Sequence, residues 1–553
     1  MKNNPLRILQ ISALLLLGAG FYWPVLSFLS GSNPLHPEES FLQGEFFLDF
    51  LSDPWNLRVI GFSLFQAFLS ALLSILVGFP GAWLLTHYDF PGQRWFRLLT
   101  YLPFILPSIL VVLAMVLFYG NNGWINRGLM SLFGTDEAPV QFLYSLSGIL
   151  IAHVFYNFPI AMKIIGDQWE RISQQYLQAA RSLGAGTTKR FLWITLPLLL
   201  PSIGSAFVLI FLLCMNSFAI ILVLGGGLRY TTIEVLIYQL ARIELDFSGA
   251  ASLAFLQGGL SLIGMAILLR GRSRRVEQKS VAKSWLPEKL RNRSLKAWFG
   301  LCWILLVMIF ALGPLSAIVL DSFRKFENGE WIYTLYWYDQ LFSWRENNHF
   351  LSSLWNSLRI GLGSALISSL CGLGLVSLIA YKKGARRRFW EVLTLFPLAL
   401  STVVFGVAWF HFYQGNLAGT VPLIYVVMAM HALLTCPYWV RVVLPTLESI
   451  PRQWHMESKM LGKKSLEYGL RILWPWLRTT FLIAFFFSFS LSLGELNSTM
   501  MIADETVRTL PLEIYGAISG YRFSYASAVA VILLLLSVST FIVVERSVRH
   551  FEL

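Results

Sequence analysis

Few residues of this chain have the type and spacing for chemistry. A phosphate-cradling nucleotide loop needs Gly, four residues, then Gly-Lys-Ser/Thr. The nearest approach, Gly462-Lys463-Lys464-Ser465, fails because position 457 is Glu and a second Lys intervenes, so any ATP chemistry is expected from a partner. The four cysteines, Cys214, Cys302, Cys371 and Cys436, lie in apolar runs without CxxC spacing and read as small hydrophobes. His153 and His431 each stand six residues before a proline, Pro159 and Pro437. Two histidines alone are a poor metal site. They are either a symmetric pair at a pore or rings that hydrogen-bond carbonyls freed by proline kinks. Glu495, in Ser492-Leu493-Gly494-Glu495-Leu496-Asn497, is a carboxylate inside an apolar run. Such a group is costly in lipid unless it faces protein or water. It is therefore a pathway-lining acid that favours a cationic solute, or a hydrogen-bonded acid that ties helices together. No catalytic residue, cofactor or metal is expected.

The elements that hold these residues follow from composition. Only 13% of the 553 residues are charged, against about 25% in ordinary globular proteins, while 56% are hydrophobic and 15% aromatic. That excludes disorder, collagen-like repeats and a disulfide scaffold, and leaves an all-α polytopic membrane protein. A hydrocarbon core of about 30 Å needs roughly 20 apolar residues per helix. Twelve runs qualify, near 8–29, 57–85, 98–118, 142–165, 196–224, 249–269, 297–320, 356–380, 391–413, 421–444, 479–502 and 525–544. The first reaches Leu29 without a small-x-small cleavage pattern and is expected to be retained. Alternating loops from the N-terminus place 33 of the 43 Lys and Arg on one side, including the basic linker 276–296. The net charge of +13 is thus an orientation signal rather than a nucleic-acid footprint, with both termini cytoplasmic and the linker facing lipid headgroups.

The chain repeats itself. An offset of 278 relates His153, Pro159 and Lys163 to His431, Pro437 and Arg441, and continues through Gly184 with Gly462, Ile194 with Ile472, and Pro197 with Pro475. Upstream the offset grows to 294 at Pro103 and Pro397 and to 300 at Trp55 and Trp355, the extra residues falling in loops. Residues 1–275 and 297–553 are the expected halves. Each carries six spans, an even number, so the halves are parallel and share an axis along the membrane normal. At the 278 offset the counterpart of Glu495 is Ser217, beside Asn216, so only one half carries the carboxylate.

Between the fourth and fifth spans of each half lies a short amphipathic stretch, 169–197 or 447–475, too short to span and suited to a groove on another protein. The first reads Gln178-Ala179-Ala180, three residues, Gly184, nine residues, Ile194-Thr195-Leu196-Pro197. This resembles the coupling loop of bacterial ABC importer permeases, Glu-Ala-Ala, three residues, Gly, nine residues, Ile-x-Leu-Pro. The second copy is weaker, with Met456-Glu457-Ser458, Gly462, Ile472 and Pro475. The resemblance implies two copies of an ABC ATPase docked on the cytoplasmic side and a periplasmic substrate-binding protein above. The family's first Glu is Gln178 here and Met456 in the second loop, so a salt bridge from that position is absent or taken over by Glu457.

Further stretches narrow the resemblance. Ala152-His153-Val154-Phe155-Tyr156-Asn157-Phe158-Pro159, Gly225-Gly226-Gly227 followed by Thr231-Thr232-Ile233-Glu234, and Arg508-Thr509-Leu510-Pro511 are similar to the fused permease of bacterial thiamine importers, with ferric-iron importer permeases as relatives. The expectation is a transport subunit of the bacterial inner membrane, not an enzyme, that passes a small cationic nutrient. A secondary transporter also fits six-plus-six parallel repeats, but it usually carries several buried charges where this chain offers Glu495. The outer segments 225–248 and 503–524, with Glu234, Tyr238 and Arg242 and with Arg508, Glu513, Tyr515 and Arg522, are expected to form short helices that meet the binding protein or gate the pore.

Overall fold

The computed structural model describes residues 5–30, 44–273, 288–289, 295–343, 349–380, 382–451, 453–454, 457, 460, 467 and 469–552. Their helices are turned inside out relative to a water-soluble protein. In Pro54–His87 the buried face is Ser63, Gln66, Ser70, Ser74 and Gly78, while Phe65, Phe68 and Leu76 are more than half exposed. Phe350–Ile379 repeats the pattern, burying Ser357, Ser364 and Ser368 and exposing Leu366 and Leu370. Lipid is as apolar as leucine, so helices associate instead through small residues that let backbones approach and through hydroxyls that bond within or across helices. Among the described residues eleven helices are long and apolar enough to cross a membrane, or twelve with the bent pair Gly384–Ala399 and Thr402–Asn416.

That bent pair corrects the expectation of an unbroken span over 391–413: its two pieces meet at 92°. The span expected over 98–118 is likewise divided, into Gln93–Ile105 and Ser108–Tyr119. Leu106 is extended (ψ 146°) because the ring of Pro107 disfavours helical backbone before it. In the second half Ser401 makes the corresponding stop, its hydroxyl accepting from Val403 N at 3.1 Å. The spans expected over 196–224 and 479–502 also break, and in register. Leu196–Met215 and Ala219–Leu224 correspond at the 278 offset to Trp474–Leu493 and Asn497–Ile502. Asn216-Ser217 and Gly494-Glu495 stand in the gaps; Asn, Ser and Gly disfavour helix interiors, and the Glu495 carboxylate accepts from Ser498 N of the next helix.

Two compact units result, and they divide the chain differently from the repeat. One comprises Asp49–Leu236 and Leu256–Asp321, the other Met1–Leu48, Ile237–Phe255 and Ser322–Leu553. In the first, Trp303 of Leu295–Asp321 lies so close to Gly81 that a Cβ there would collide with its ring, and Phe310 packs edge-on to Phe155 at 5.6 Å. In the second, the N-terminal helix packs on Phe350–Ile379. Gln10 Nε2 donates to Ser377 Oγ at 3.2 Å, and Phe21 stacks on Phe405 at 5.2 Å. The opening span of each sequence half is therefore built into the unit that holds the core of the other half. A hairpin in the second unit pairs Arg324–Glu327 with Glu330–Tyr333 through Asn328-Gly329, both left-handed as its tight turn requires.

Candidate functional site

The two helix breaks gather most of the polar residues singled out in the spans. In the first unit, His153 is buried and its ring bridges two hydroxyls: Nδ1 to Ser70 Oγ and Nε2 to Ser217 Oγ, both at 2.9 Å. Gln66 Nε2 donates to the Cys214 carbonyl at 3.1 Å, satisfying a group at the end of the broken helix. Asn216 Oδ1 accepts from Gln257 Nε2 at 3.0 Å, and the same amide donates to Glu234 Oε1. In the second unit, His431 Nδ1 bonds Ser492 Oγ and Nε2 bonds Thr499 Oγ1, both at 2.8 Å. Both rings therefore go to hydroxyls of neighbouring segments, not to kink carbonyls.

Glu495 differs from its counterpart Ser217. Its Oε1 accepts from Ser498 N at 2.9 Å and Ser498 Oγ at 3.2 Å, capping the helix Asn497–Ile502, and it pairs with no cation among the described residues. The carboxylate lines a cavity of about 130 Å³ with His431, Thr402, Thr435, Tyr438 and Ser492. Asn497 Nδ2 donates to Thr402 Oγ1 at 3.0 Å, joining this break to the one before Thr402.

The first amphipathic stretch, 169–197, holds an exposed helix, Gln174–Ser182, with no buried residue. Ser173 caps it by accepting from Gln175 N at 3.3 Å. Gly184 ends it at φ +80°, where Ala185 N donates to Ala180 O and Gly184 N to Arg181 O, each at 2.9 Å. This paired closure needs a left-handed residue at position 184, which glycine adopts without strain. Gln178 and Ala179 are exposed and Ala180 is half-buried. Leu183 and Trp193 are 88% and 80% exposed, large apolar groups with no cover among the described residues. Ile194 sits in a π-helical turn, Phe191–Thr195, directly before Pro197, and Ile472 in a second, Gly469–Leu473, before Pro475. The wider turn moves aside the carbonyl that a proline ring would strike. Glu457 is exposed, whereas Met456 and Gly462 lie outside the described residues.

The outer segments form short helices, Ile233–Tyr238 and Leu510–Ser519, hung the same way: Ile233 N donates to Ser63 Oγ at 2.9 Å and Leu510 N to Ser357 Oγ at 2.8 Å. Glu234, expected as a contact for a binding protein, is instead fully buried and committed to Gln257, so it presents nothing to a partner. Glu513 is half-buried and accepts from Tyr525 OH at 2.9 Å and Ser353 Oγ at 3.4 Å. The Arg508 carbonyl receives Asn356 Nδ2 at 3.1 Å, and Tyr238 is half-buried. Two arginines not singled out by motif share one pocket. Arg58 and Arg229 line a pocket of about 260 Å³ with Trp55, Phe62 and Tyr230 in the first unit. In the second unit Arg359 lies over Trp355 at 5.7 Å, near the repeat position of Arg58. The available signal was scarcity, since only ten Lys and Arg fall in the loops expected on the outer side.

Residues 70–280 match the family described as binding-protein-dependent transport system inner membrane component. The thiamine transport system permease protein of Brucella abortus (strain 2308) is 29% identical over 499 residues, covering 90% of this chain and 88% of that protein. That of Escherichia coli (strain K12) is 28% identical over 501 residues, covering 89% of each. A solved bacterial ABC transporter involved in import of the acidic polysaccharide alginate aligns with 48% of this chain at 18% identity and a TM-score of 0.37.

Proposed function

We infer that this chain, a permease of the binding-protein-dependent ABC importer class, is the thiamine-translocating subunit of its system. The observation that carries the substrate is the likeness to thiamine permeases along about nine-tenths of both chains. No observation favours the ferric-iron alternative. The chain is a transport subunit with its termini in the cytoplasm, and a separate pair of ATPases supplies the energy.

The geometry fits that work. Leu183 and Trp193, exposed beside the Gln174–Ser182 helix, offer the apolar surface an ATPase groove would cover. Beyond the turn at Gly184 the chain resumes as Thr187–Arg190 and runs through the π-helical turn Phe191–Thr195 into Leu196–Met215, whose far end is the break at Asn216-Ser217. A push delivered at residues 187–195 reaches the break along this helical run, biasing the equilibrium between inward- and outward-open states. On the outer side Arg58 and Arg229 present positive charge to acidic groups of a binding protein.

The test is ATP-dependent uptake by proteoliposomes holding the chain with its ATPase and binding protein, offered thiamine or ferric iron. Thiamine accumulation is expected. Iron accumulation without thiamine would overturn the substrate, and uptake driven by a proton gradient without any co-purifying ATPase would overturn the importer class.

A further inference from the structure

We propose that the cavity at the second helix break is a binding site for one cationic heteroaromatic ring, and that the repeat-related position in the first unit, Ser217, does not form a second one. The inference deepens the thiamine reading and rests on it only for the identity of the cargo.

Three observations converge. The first is size. At about 130 Å³ the cavity is close to the roughly 150 Å³ of an engineered cavity that holds benzene, so it admits one ring and not a two-ring molecule at once. The second is charge. Glu495 meets the cavity without a cationic partner among the described residues, and an ionisable group at membrane depth that faces a cavity marks a candidate solute site. Its two bonds to Ser498 fall on one oxygen, Oε1. The third is the rest of the lining: Tyr438 is its aromatic residue, while the hydroxyls of Thr402, Thr435 and Ser492 are engaged with Asn497 Nδ2, the His431 carbonyl and His431 Nδ1, which leaves the Glu495 carboxylate as the charged group of the wall. Carboxylate and aromatic face together favour a cation whose charge is spread over a ring.

The asymmetry follows from the repeat. Position 217, the counterpart of 495, is a serine whose hydroxyl is already committed to His153 at 2.9 Å. In the second unit Thr499 takes that duty for His431, at 2.8 Å, and leaves position 495 available for a ligand. A permease with one charged subsite binds its cargo in one orientation, with the cationic ring on the side of residues 322–553.

Glu495→Gln separates ligand binding from helix capping, because the Gln carbonyl can still accept from Ser498 while the charge is gone. With the full importer, we expect the KM for thiamine uptake to rise about tenfold in Glu495→Gln. A second measurement needs no transport. With Leu434→Cys in the cavity wall and Cys302→Ser removing the exposed native thiol, alkylation of position 434 is followed in the presence of 3-methylthiazolium or neutral thiazole. The cation should protect at about tenfold lower concentration than the neutral ring, and Glu495→Gln should abolish the difference. Equal protection by both rings overturns the site, as does wild-type uptake kinetics in Glu495→Gln. If the cation alone protects but the intact importer ignores thiamine, the site stands and the thiamine reading falls.

Discussion

Ser217 and Glu495 occupy one register in two broken helices, yet Ser217 Oγ is bonded to His153 Nε2 at 2.9 Å while Glu495 Oε1 receives Ser498 N at 2.9 Å. Two breaks of the same backbone have thus been given different work. The first is closed by side-chain bonds between neighbouring helices; the second leaves a carboxylate against a cavity. Without Thr499, placed to bond His431, position 495 would face the same demand as position 217.

Gly184 tests the coupling loop. Its missing Cβ would meet nothing within 4 Å, so a side chain there clashes with nothing and acts only through the +80° backbone. Gly184→Val should cost about 1–2 kcal/mol of local strain and unwind the closure onto Ala180. Expected are near-normal amounts of folded protein, ATP hydrolysis no longer stimulated by the loaded binding protein, and uptake reduced about tenfold or more. Normal stimulated uptake would show that the loop does not couple.

The histidines test the packing of the breaks. His153→Leu removes two hydrogen bonds and strands Ser70 and Ser217. Interhelical bonds in membranes average about 0.6 kcal/mol, so the loss should be about 1–2 kcal/mol, a lowered thermal midpoint without collapse. His431→Leu should match it in direction, because its ring makes the same number of bonds. A fluorescence-monitored melt in detergent reads both.

Ser63 and Ser357 test the hanging of the outer helices. Ser63→Ala and Ser357→Ala each leave one buried backbone N–H, of Ile233 or Leu510, without its acceptor. Hydrogen–deuterium exchange should accelerate at about 1 kcal/mol's worth, several-fold, in 233–238 for the first variant and in 510–519 for the second. Unchanged exchange in either segment would mean the hydroxyl does not anchor it.

Arg58 and Arg229 test the outer contact. Replacing both with Ser should weaken association of the binding protein and flatten its salt dependence, because exposed charges act mainly on encounter and are screened within about 8 Å at physiological salt. Affinity measured at low and high ionic strength would reveal this. An unchanged salt slope would place the docking charges elsewhere.

Orientation is tested by labelling. Asp136→Cys and Lys189→Cys, both at exposed loop positions, should differ in reactivity toward an impermeant thiol reagent on intact spheroplasts. Position 136 should label from outside and position 189 only after lysis.

What the sequence by itself determined is what depends on near neighbours and on period. Apolar runs long enough for lipid, the charge bias between loops, the 278-residue repeat and the glycine closing the helix Gln174–Ser182 are all local or statistical signals. Glu495 was legible as a buried carboxylate for the same reason, a charge where the chain is otherwise apolar. Only the tertiary structure decided what it faces. Hydropathy runs straight through 196–224, 391–413 and 479–502, because a broken helix buried in protein is as apolar as a continuous one; the breaks depend on neighbours such as Gln66 and Asn497 that satisfy the freed groups. Glu234 resembled a surface residue in its loop and became a buried one through Gln257, 23 residues on. The exchange of opening spans between the compact units likewise rests on contacts such as Gln10 with Ser377, 367 residues apart, which no local pattern announces.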